Sequence, residues 1–298
     1  MPEDFLIKVE NASSLDYETN NIAKKTFNVI FIPILNYLPE RFVVFIKKSN
    51  KGAKKVVENA TTHTALEVLY NKGLADKSEG PLGRLFLTLW FNINNAKAVR
   101  NRLKLVKREF KKALLAKSET KDYIHILSIA SGSARAIIEV LSDPDVIEKI
   151  DRDLISVTFV DKNPRAIEYS KQLSESVPNY NFNWVNDSAG NFFKKYGFKE
   201  KFDIVEIVGL LDYFDDEKVV QIFHSIYKNL RKGGVVIAAN INHNSERKFV
   251  TKTIGWRMIY RSIKDLASLL NKAGFLFDNM DAYYEPLKIH SVVIAGKK

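Results

Sequence analysis

The sequence contains no cysteine, which excludes both a disulfide framework and a metal site built on thiolates. Its five histidines are scattered and show no HxxxH or HExxH spacing, which argues against a zinc enzyme. No apolar run reaches the roughly 20 residues that a membrane-spanning helix needs. The opening residues, MPEDFLIKVE, lack the basic-then-apolar order of a secretory signal, so we expect a cytoplasmic protein.

Lysine and arginine outnumber aspartate and glutamate by 46 to 35, which gives a formal net charge of +11. Residues 1–120 hold 21 of the basic and 12 of the acidic residues, so the rest of the chain is close to neutral. A basic balance suits nucleic acid, an anionic lipid surface or an acidic small molecule, and it does not choose among them. A lysine-rich face that is merely solvated explains the excess equally well.

The first third of the chain predicts a helical module. Residues 1–20 suggest a loose arm or a short strand and turn. The apolar stretch 21–46 contains Pro33 and Pro39, which break helices, so we expect two short helices meeting near Pro39. Lysines follow this stretch, and segment 21–55 suits either a peripheral membrane contact or a buried lid with a solvated basic end.

Three further helices are predicted at 61–74, 82–92 and 96–117, because apolar residues recur there every three or four positions. The last helix carries basic residues on its opposite face: Lys97, Arg100, Arg102, Lys104, Lys107, Arg108, Lys111, Lys112 and Lys117. We expect residues 1–120 to form a lid or substrate module in front of a second domain, residues 121–298.

From residue 122 onward, apolar strands alternate with amphipathic helices. The predicted strands are 124–129, 156–160, 182–185, 203–208, 235–240, 276–283 and 289–295. The predicted helices are 133–141, 164–176, 188–196, 215–230 and 262–273. This alternation predicts an α/β fold with a doubly wound, mainly parallel sheet of seven strands. The last two strands have no helix between them and should form an antiparallel hairpin at one edge.

Ligands of doubly wound sheets bind beyond the carboxyl ends of the strands, so the residues after each strand form the candidate site. Small residues at 130–134 make a turn into a helix after the first strand. Asp161 follows the second strand, where its carboxylate can accept both hydroxyls of a ribose. Asn186, Asp187 and Ser188 follow the third strand and suit the edge of an adenine.

Asp161 and Asp187 also have a simpler interpretation, in which each carboxylate caps the helix that follows it and binds no ligand. The glycine positions of a dinucleotide fingerprint read Ala130, Gly132 and Ala134 here, so GxGxxG is not met. The phosphate-binding motif GxxxxGK[ST] is absent as well. A nicotinamide dehydrogenase and a P-loop enzyme are therefore disfavoured.

Taken together, the motifs resemble those of class I S-adenosylmethionine-dependent methyltransferases with a Rossmann-like fold. The matching segments are LSIASGSAR at 127–135, TFVDKNPRAIEYS at 158–170, WVNDSAGNF at 184–192, FDIVEIVGLLDYF at 202–214 and LRKGGVVIAAN at 230–240. The chain departs from the family pattern at Ser128, where an acidic residue is usual, and at two of the three motif glycines. The segments AVRNRL at 98–103, NINHNSER at 240–247 and IGWRMIYRS at 254–262 further resemble a bacterial subgroup related to the biosynthesis protein for 3-hydroxypalmitic acid methyl ester.

The resemblance implies S-adenosyl-L-methionine as cofactor and no metal. The cofactor-binding candidates are Ala130, Ser131, Gly132, Ser133, Asp161, Lys162, Asn186, Asp187, Ser188, Gly209, Leu210 and Arg100, with Arg102 as an alternative to Arg100 on the same helix. The substrate-binding candidates are Asn240, Asn242, Trp256, Tyr260 and Arg261.

The methyl acceptor is expected to be a small molecule or lipid, and the subgroup resemblance implies the carboxyl of a hydroxy fatty acid. A carboxylate acceptor needs no base, whereas a hydroxyl or amine would use Tyr213 or His243. An RNA methyltransferase that binds phosphates through the basic face of helix 96–117 is the alternative enzyme. No NPPY-like tetrapeptide follows the fourth strand, which disfavours that alternative. A non-catalytic protein that binds the cofactor is the other alternative.

Overall fold

The structure is a computed structural model that describes residues 5–11, 13–37, 62–71, 91–120, 123–177, 180–195 and 202–298, with a few isolated positions between them. The helix predicted at 82–92 falls outside the described residues except for its last two positions. The second short helix expected after Pro39 lies outside them too.

An eight-stranded sheet forms the centre of the fold. Its strands are β1 (Ile7–Val9), β2 (Ile124–Ile129), β3 (Ile155–Asp161), β4 (Asn181–Asn186), β5 (Phe202–Ile207), β6 (Leu230–Ile241), β7 (Met280–Tyr284) and β8 (His290–Gly296). The order across the sheet is β1-β7-β8-β6-β5-β2-β3-β4, and β8 alone runs antiparallel to its neighbours. The predicted doubly wound, mainly parallel sheet is confirmed.

Two details of the sheet differ from the prediction. β7 and β8 pair antiparallel as expected, but β8 lies inside the sheet between β6 and β7. The hairpin is not the edge, because β1 pairs in parallel with β7 and places Ile7 opposite Ala282. β1 also raises the strand count from seven to eight. The sequence allowed a short strand before residue 20, but three residues are too few to show a period or to identify a distant partner.

Helices cover both faces of the sheet and lead into it. In chain order they are α1 (Ile22–Tyr37), α2 (His63–Tyr70), α3 (Asn94–Ser118), α4 (Arg135–Leu141), α5 (Pro144–Lys149), α6 (Pro164–Ser174), α7 (Ala189–Lys195), α8 (Asp216–Asn229) and α9 (Ile263–Lys272). The helices predicted between strands are present with small shifts at their ends. α5 was missed, although Asp143 caps it and Pro144 begins it, which is a common start signal.

The two faces of β2 show why the sheet is buried on both sides. Leu127 and Ile129 belong to the apolar core that α8 and α9 cover. Ile124 and Ile126 belong to the core that α3 and α4 cover on the opposite face. Successive side chains of a strand point to opposite faces, so a continuous apolar run is what a doubly covered strand requires.

A third, smaller core joins α1, α2 and the first turns of α3 to residues 249–256. α3 also packs on the sheet, and β1 pairs with β7, so residues on both sides of position 120 share the same packing. The division of the chain at residue 120 stays a prediction about function. Of the described residues before position 120, β1 and α3 are built into the sheet domain.

Helix α1 continues through Pro33, which the sequence prediction treated as a break, and ends at Tyr37 before Pro39. The proline removes the N–H that would bond the carbonyl of Val29, and Val29 is 73% exposed, so water can take that place. Within the part of the chain that the structure describes, no helix is long and apolar enough to cross a membrane.

Candidate functional site

The turn after β2 contains three residues in left-handed backbone conformations. Ala130, Gly132 and Ala134 have φ angles of 53°, 56° and 56°. The N–H of Ser131 donates to the carbonyl of Val160 at 3.0 Å, which anchors the turn to the end of β3. A left-handed alanine costs roughly 1–2 kcal/mol, so the chain keeps a glycine-type backbone at two positions without glycine. The small-residue turn is formed as expected, and all of it lines a cleft.

Asp161, at the end of β3, faces the same cleft and holds the turn in place. Its Oδ2 accepts from the N–H of Gly132 at 2.9 Å, and its Oδ1 accepts from the N–H of Asn163 at 2.8 Å. A carboxylate oxygen has two lone pairs, so each oxygen can accept one more hydrogen bond. Asn186 donates its side-chain amide to the Asp161 carbonyl at 2.9 Å and lies behind the cleft wall rather than in it.

The turn and the ends of β3, β4 and β5 surround a cleft of about 850 Å³. Volumes of roughly 300–1,000 Å³ are typical of small-molecule sites. Twelve of the residues proposed from the sequence line the cleft: Ala130, Ser131, Gly132, Ser133, Asp161, Lys162, Asp187, Ser188, Gly209, Leu210, Tyr213 and Trp256. The strand ends therefore bring the main cofactor candidates to one space.

Arg100 does not reach this cleft. Its guanidinium bonds the Glu18 carboxylate and the carbonyls of Leu69 and Phe91, within the packing of the first helices. Arg102 lines the cleft instead. Residues two apart on a helix point about 200° apart, so only one of the two arginines can face the sheet ends. Of the two arginines that the sequence offered for the cofactor, Arg102 is therefore the one at the cleft.

Four of the proposed substrate residues lie outside the cleft lining. Arg261 is buried, and it bonds Asp216, two carbonyls and Asn240, so both Arg261 and Asn240 hold the loop after β5. Asn242 bonds the carbonyl of Lys288 at 3.0 Å. Tyr260 packs beneath the guanidinium of Arg247, 4.6 Å from its ring centre.

His243, one of the two proposed bases, is exposed and stacks on Tyr260 with ring centres 6.0 Å apart. It lines neither the cleft nor the chamber beside it. The chain leaves the sheet after β6, and its first residues beyond the strand turn toward solvent. Position after a strand end therefore does not by itself bring a side chain to the cleft.

A smaller chamber adjoins the cleft and has a cavity volume of about 70 Å³. Its walls come mainly from apolar residues of α2, α3 and the segment 250–258. Five residues line both spaces: Leu66, Arg102, Gly209, Tyr213 and Trp256. His290, from the first position of β8, also lines the chamber. His290 could not be identified from local sequence, because β8 reaches this place only through the order of strands in the sheet.

Three polar groups of the chamber have pKa values displaced by burial. Burial raises the pKa of the Asp212 carboxyl to about 6, although the N–H of Ile241 and the cations Arg102 and Arg261 oppose this. Burial also raises the pKa of Tyr213 to about 12, and the hydrogen bond from Trp256 Nε1 at 2.8 Å only partly offsets it. Burial and the charge of Arg102 lower the pKa of His290 well below its usual value.

Glu206 on β5 was not proposed from the sequence, and it lies in the cleft wall beside the turn. It is opposite Ser128 in the β2–β5 register, and the Ser128 hydroxyl donates to its Oε2 at 2.5 Å. Burial raises the pKa of this carboxyl to about 7, despite the Ser128 hydrogen bond and the charge of Arg102. A glutamate in the apolar run FDIVEI was a usable signal, because a buried charge demands a reason.

The basic face of α3 is largely engaged in intramolecular ion pairs. Its cations pair as Arg100 with Glu18, Lys104 with Asp16, Lys107 with Glu139, Arg108 with Glu10 and Glu109, and Lys111 with Asp143 and Asp145. These five residues are therefore paired within the chain, and a purely solvated basic face does not describe them. Apart from Glu109, their acidic partners lie outside α3, so the helical pattern alone could not show them.

Comparison with known proteins agrees with this geometry. A family model described as "Putative methyltransferase" matches residues 60–297. No curated protein matches the chain. A crystal structure of a possible exported protein from Bordetella parapertussis is similar with a TM-score of 0.65 and 13% identity, covering 94% of this chain and 99% of that one.

Two methyltransferase structures share the fold at lower similarity. Magnesium protoporphyrin IX methyltransferase from Synechocystis PCC 6803, solved with bound S-adenosylhomocysteine, has a TM-score of 0.52 and 12% identity over 69% of this chain and 88% of that one. The CurJ carbon methyltransferase has a TM-score of 0.53 and 12% identity, covering 94% of this chain and 72% of that one. At such identities the likeness concerns the fold, whereas the family match covers most of the sequence. The chain therefore belongs to this family of methyltransferases, as its strand-end motifs predicted.

Proposed function

We propose that the chain transfers the methyl group of S-adenosylmethionine to a carboxylate oxygen of a small, mainly apolar acid. S-Adenosylmethionine supplies an activated methyl group on a sulfonium, so the protein has to bind it, align the acceptor and exclude water. Asp161 has the free lone pairs that two ribose hydroxyls require. Asp187, whose Oδ1 accepts from the N–H of Ser188 at 2.7 Å, has a second oxygen for the adenine amine.

Among the described residues that line the junction of cleft and chamber, none is a strong base, and this observation carries the choice of acceptor. Tyr213, with its pKa raised to about 12, stays protonated at neutral pH. His290, with its pKa lowered well below the usual value, stays neutral and has little affinity for a proton. The pKa of Asp212, about 6, is far below that of an alcohol. A carboxylate needs no deprotonation before it attacks the methyl group, and it therefore fits this junction better than a hydroxyl.

The same groups can hold the acceptor. The Tyr213 oxygen already accepts from Trp256 Nε1, so its own O–H is directed elsewhere and can donate to a carboxylate. Both ring nitrogens of His290 are buried and have no hydrogen-bond partner within the described part of the chain, and one of them carries a proton to donate. Buried polar groups without partners are rare in proteins, which supports a ligand at this place.

The size of the chamber limits the acceptor. A cavity of about 150 Å³ holds a benzene molecule, and the chamber measures about 70 Å³. It therefore receives a short apolar group, while the rest of the acceptor lies along the wider cleft. A hydroxy fatty acid, which the subgroup resemblance implies, would have to place most of its chain there.

Transfer of radiolabelled methyl groups from S-adenosylmethionine to matched acceptors tests this proposal. Aliphatic and hydroxy acids of increasing chain length are compared with the corresponding alcohols and amides. We expect label in the acids alone, as methyl esters that alkali hydrolyses to volatile methanol. Transfer to the alcohols but not the acids would refute the proposal.

Tyr213→Phe provides the matched structural test. We expect a 10- to 100-fold loss of kcat/KM from one lost hydrogen bond to a charged acceptor, with cofactor binding unchanged. Tyr180→Phe is the control, because its hydroxyl donates to the Leu141 carbonyl and lines neither space. Transfer of labelled methyl groups to fractionated cell extract tests the alternatives. Label in RNA would support the RNA methyltransferase, and cofactor binding without any transfer would support a non-catalytic protein.

A further inference from the structure

Two buried, oppositely charged side chains line the cleft beside the turn. Arg102 on α3 is 4% exposed and Glu206 on β5 is 6% exposed. No salt bridge joins them, although the charge of Arg102 is felt at Glu206. Two separate charges of opposite sign on one wall suit a ligand that itself carries both charges a short distance apart.

Among the described residues, no carboxylate lies within ion-pair distance of the Arg102 guanidinium, although the charge of Asp212 acts on it. Its hydrogen bond to those residues is a long contact from Nη2 to the Tyr70 hydroxyl at 3.5 Å, and its buried Nε has no partner among them. Gly209, whose φ of +81° favours glycine, lies beside its guanidinium, since a Cβ there would be in ordinary van der Waals contact with both Nη atoms at 4.0 Å. A buried charge without a partner is strongly destabilising, so this arginine indicates a bound anion.

Glu206 is arranged as the complementary acceptor. The Ser128 hydroxyl holds Oε2 at 2.5 Å and fixes the direction of the carboxylate. Ser128 is the penultimate residue of β2, close to the turn, and it too lines the cleft. The other two carboxylates of the cleft wall, Asp161 and Asp187, already accept backbone N–H groups at the ends of β3 and β4. Glu206 accepts none that the structure records, so a cation can take its free oxygen.

We propose that Arg102 and Glu206 form a clamp for the amino-acid end of the cofactor, with Arg102 binding its carboxylate and Glu206 its ammonium group. The inference rests on S-adenosylmethionine as methyl donor and assigns separate parts of its amino-acid end to Arg102 and to Glu206, a residue that the sequence did not single out. Ser128 acts as a positioning residue for Glu206. In this clamp the acidic residue, Glu206, lies on β5. The family pattern has its acidic residue on the neighbouring strand β2, at the position of Ser128.

The clamp couples cofactor binding to pH. Glu206 must lose its proton to bind an ammonium group, so affinity rises with pH until the carboxyl of the free protein is ionised. Its pKa of about 7 places this rise between pH 6 and 8. Arg102 from α3 and Ser128 from β2 face Glu206, and neither of them changes charge in this pH range. Asp212, in the loop after β5, interacts with Arg102 and has a pKa of about 6.

Calorimetric titration with three ligands tests the clamp. S-Adenosylhomocysteine has the whole amino-acid end, decarboxylated S-adenosylmethionine keeps only the ammonium, and 5′-methylthioadenosine has neither. We expect Glu206→Gln to weaken the first two by about 10- to 100-fold and to leave the third unchanged. We expect Arg102→Gln to weaken the first alone. Lys107→Gln, on the same helix but paired with Glu139, is the control and should change none.

The pH series provides the second readout. Wild-type affinity for S-adenosylhomocysteine should fall by up to about tenfold per pH unit below pH 7, and Glu206→Gln should abolish most of that dependence. Equal binding of 5′-methylthioadenosine by all variants shows that they are folded. An unchanged affinity of Glu206→Gln for S-adenosylhomocysteine would overturn the clamp, as would an Arg102→Gln defect confined to the KM of the acceptor. Failure of the wild-type protein to bind any of the three ligands would instead overturn the cofactor assignment.

Discussion

Replacing Glu206 with glutamine should stabilise the cofactor-free protein at alkaline pH. Burial raises the pKa of this carboxyl from 4.5 to about 7. At about 1.36 kcal/mol for each tenfold change in proton affinity, this displacement makes ionised Glu206 about 3 kcal/mol less favourable in the folded chain than in the unfolded chain. The stability that protonated Glu206 contributes is complete below pH 4.5 and is lost as the pH rises through 7. Glutamine is neutral throughout and escapes this loss.

Urea unfolding of both proteins at pH 5, 6, 7 and 8, at constant salt, measures the effect. The free energy of unfolding of Glu206→Gln minus that of wild type should rise by about 2–3 kcal/mol from pH 5 to pH 8, with most of the rise below pH 7 and a plateau above it. Asp212→Asn is a matched control, because the pKa of Asp212 is about 6 and its difference curve should rise at lower pH. A difference that stays constant with pH would refute the description of Glu206 as a buried carboxyl with a raised pKa.

Three further perturbations test individual features of the fold. Gly132→Ala should lower the free energy of unfolding by about 1–2 kcal/mol, because the φ of Gly132 is left-handed at 56° while the nearest atom to an added Cβ, the Cβ of His63, is 3.6 Å away. Urea unfolding measures this, and a loss above about 4 kcal/mol would contradict it. Glu246→Ala removes the carboxylate that accepts the N–H groups of Asn94 and Asn95 at the start of α3, and thermal unfolding should show a loss of about 2–3 kcal/mol, about half of it restored in Glu246→Gln. Deleting residues 1–10 should expose the edge of β7 and promote association, which light scattering detects; a deletion variant that stays monomeric with unchanged thermal stability would show that β1 is dispensable.

The strand ends were predictable because each depends on local signals. β2 is a six-residue apolar run that ends in small residues, and Asp161 ends the next such run. In a parallel sheet these ends meet at one edge, so a list of residues along the chain becomes a site without further information. The turn at 130–134, Asp161 and Asp187 were found in this way, and all of them line the cleft.

The walls contributed by distant parts of the chain could not be predicted in the same way. Amphipathic patterning assumes that the polar face of a helix is solvated, whereas α3 is enclosed by acids from residues 10–18 and by the sheet. Arg100 and Arg102 look alike in sequence, and only the packing decides which one faces the cleft. His290 lines the chamber because β8 is inserted beside β6. The sequence around residue 290 contains no local pattern that indicates this strand order.

The pairing of β1 with β7 has a consequence for how the protein is made. Ile7 leaves the ribosome long before its partner Ala282 is synthesised. While the residues between them are being made, β1 has no partner strand, and the edge that it will cover does not exist. Contacts between such distant positions form slowly, and exposed strands aggregate in the meantime. We expect closure of this edge to be the final and slowest step of folding, and the stage at which a chaperone has most effect.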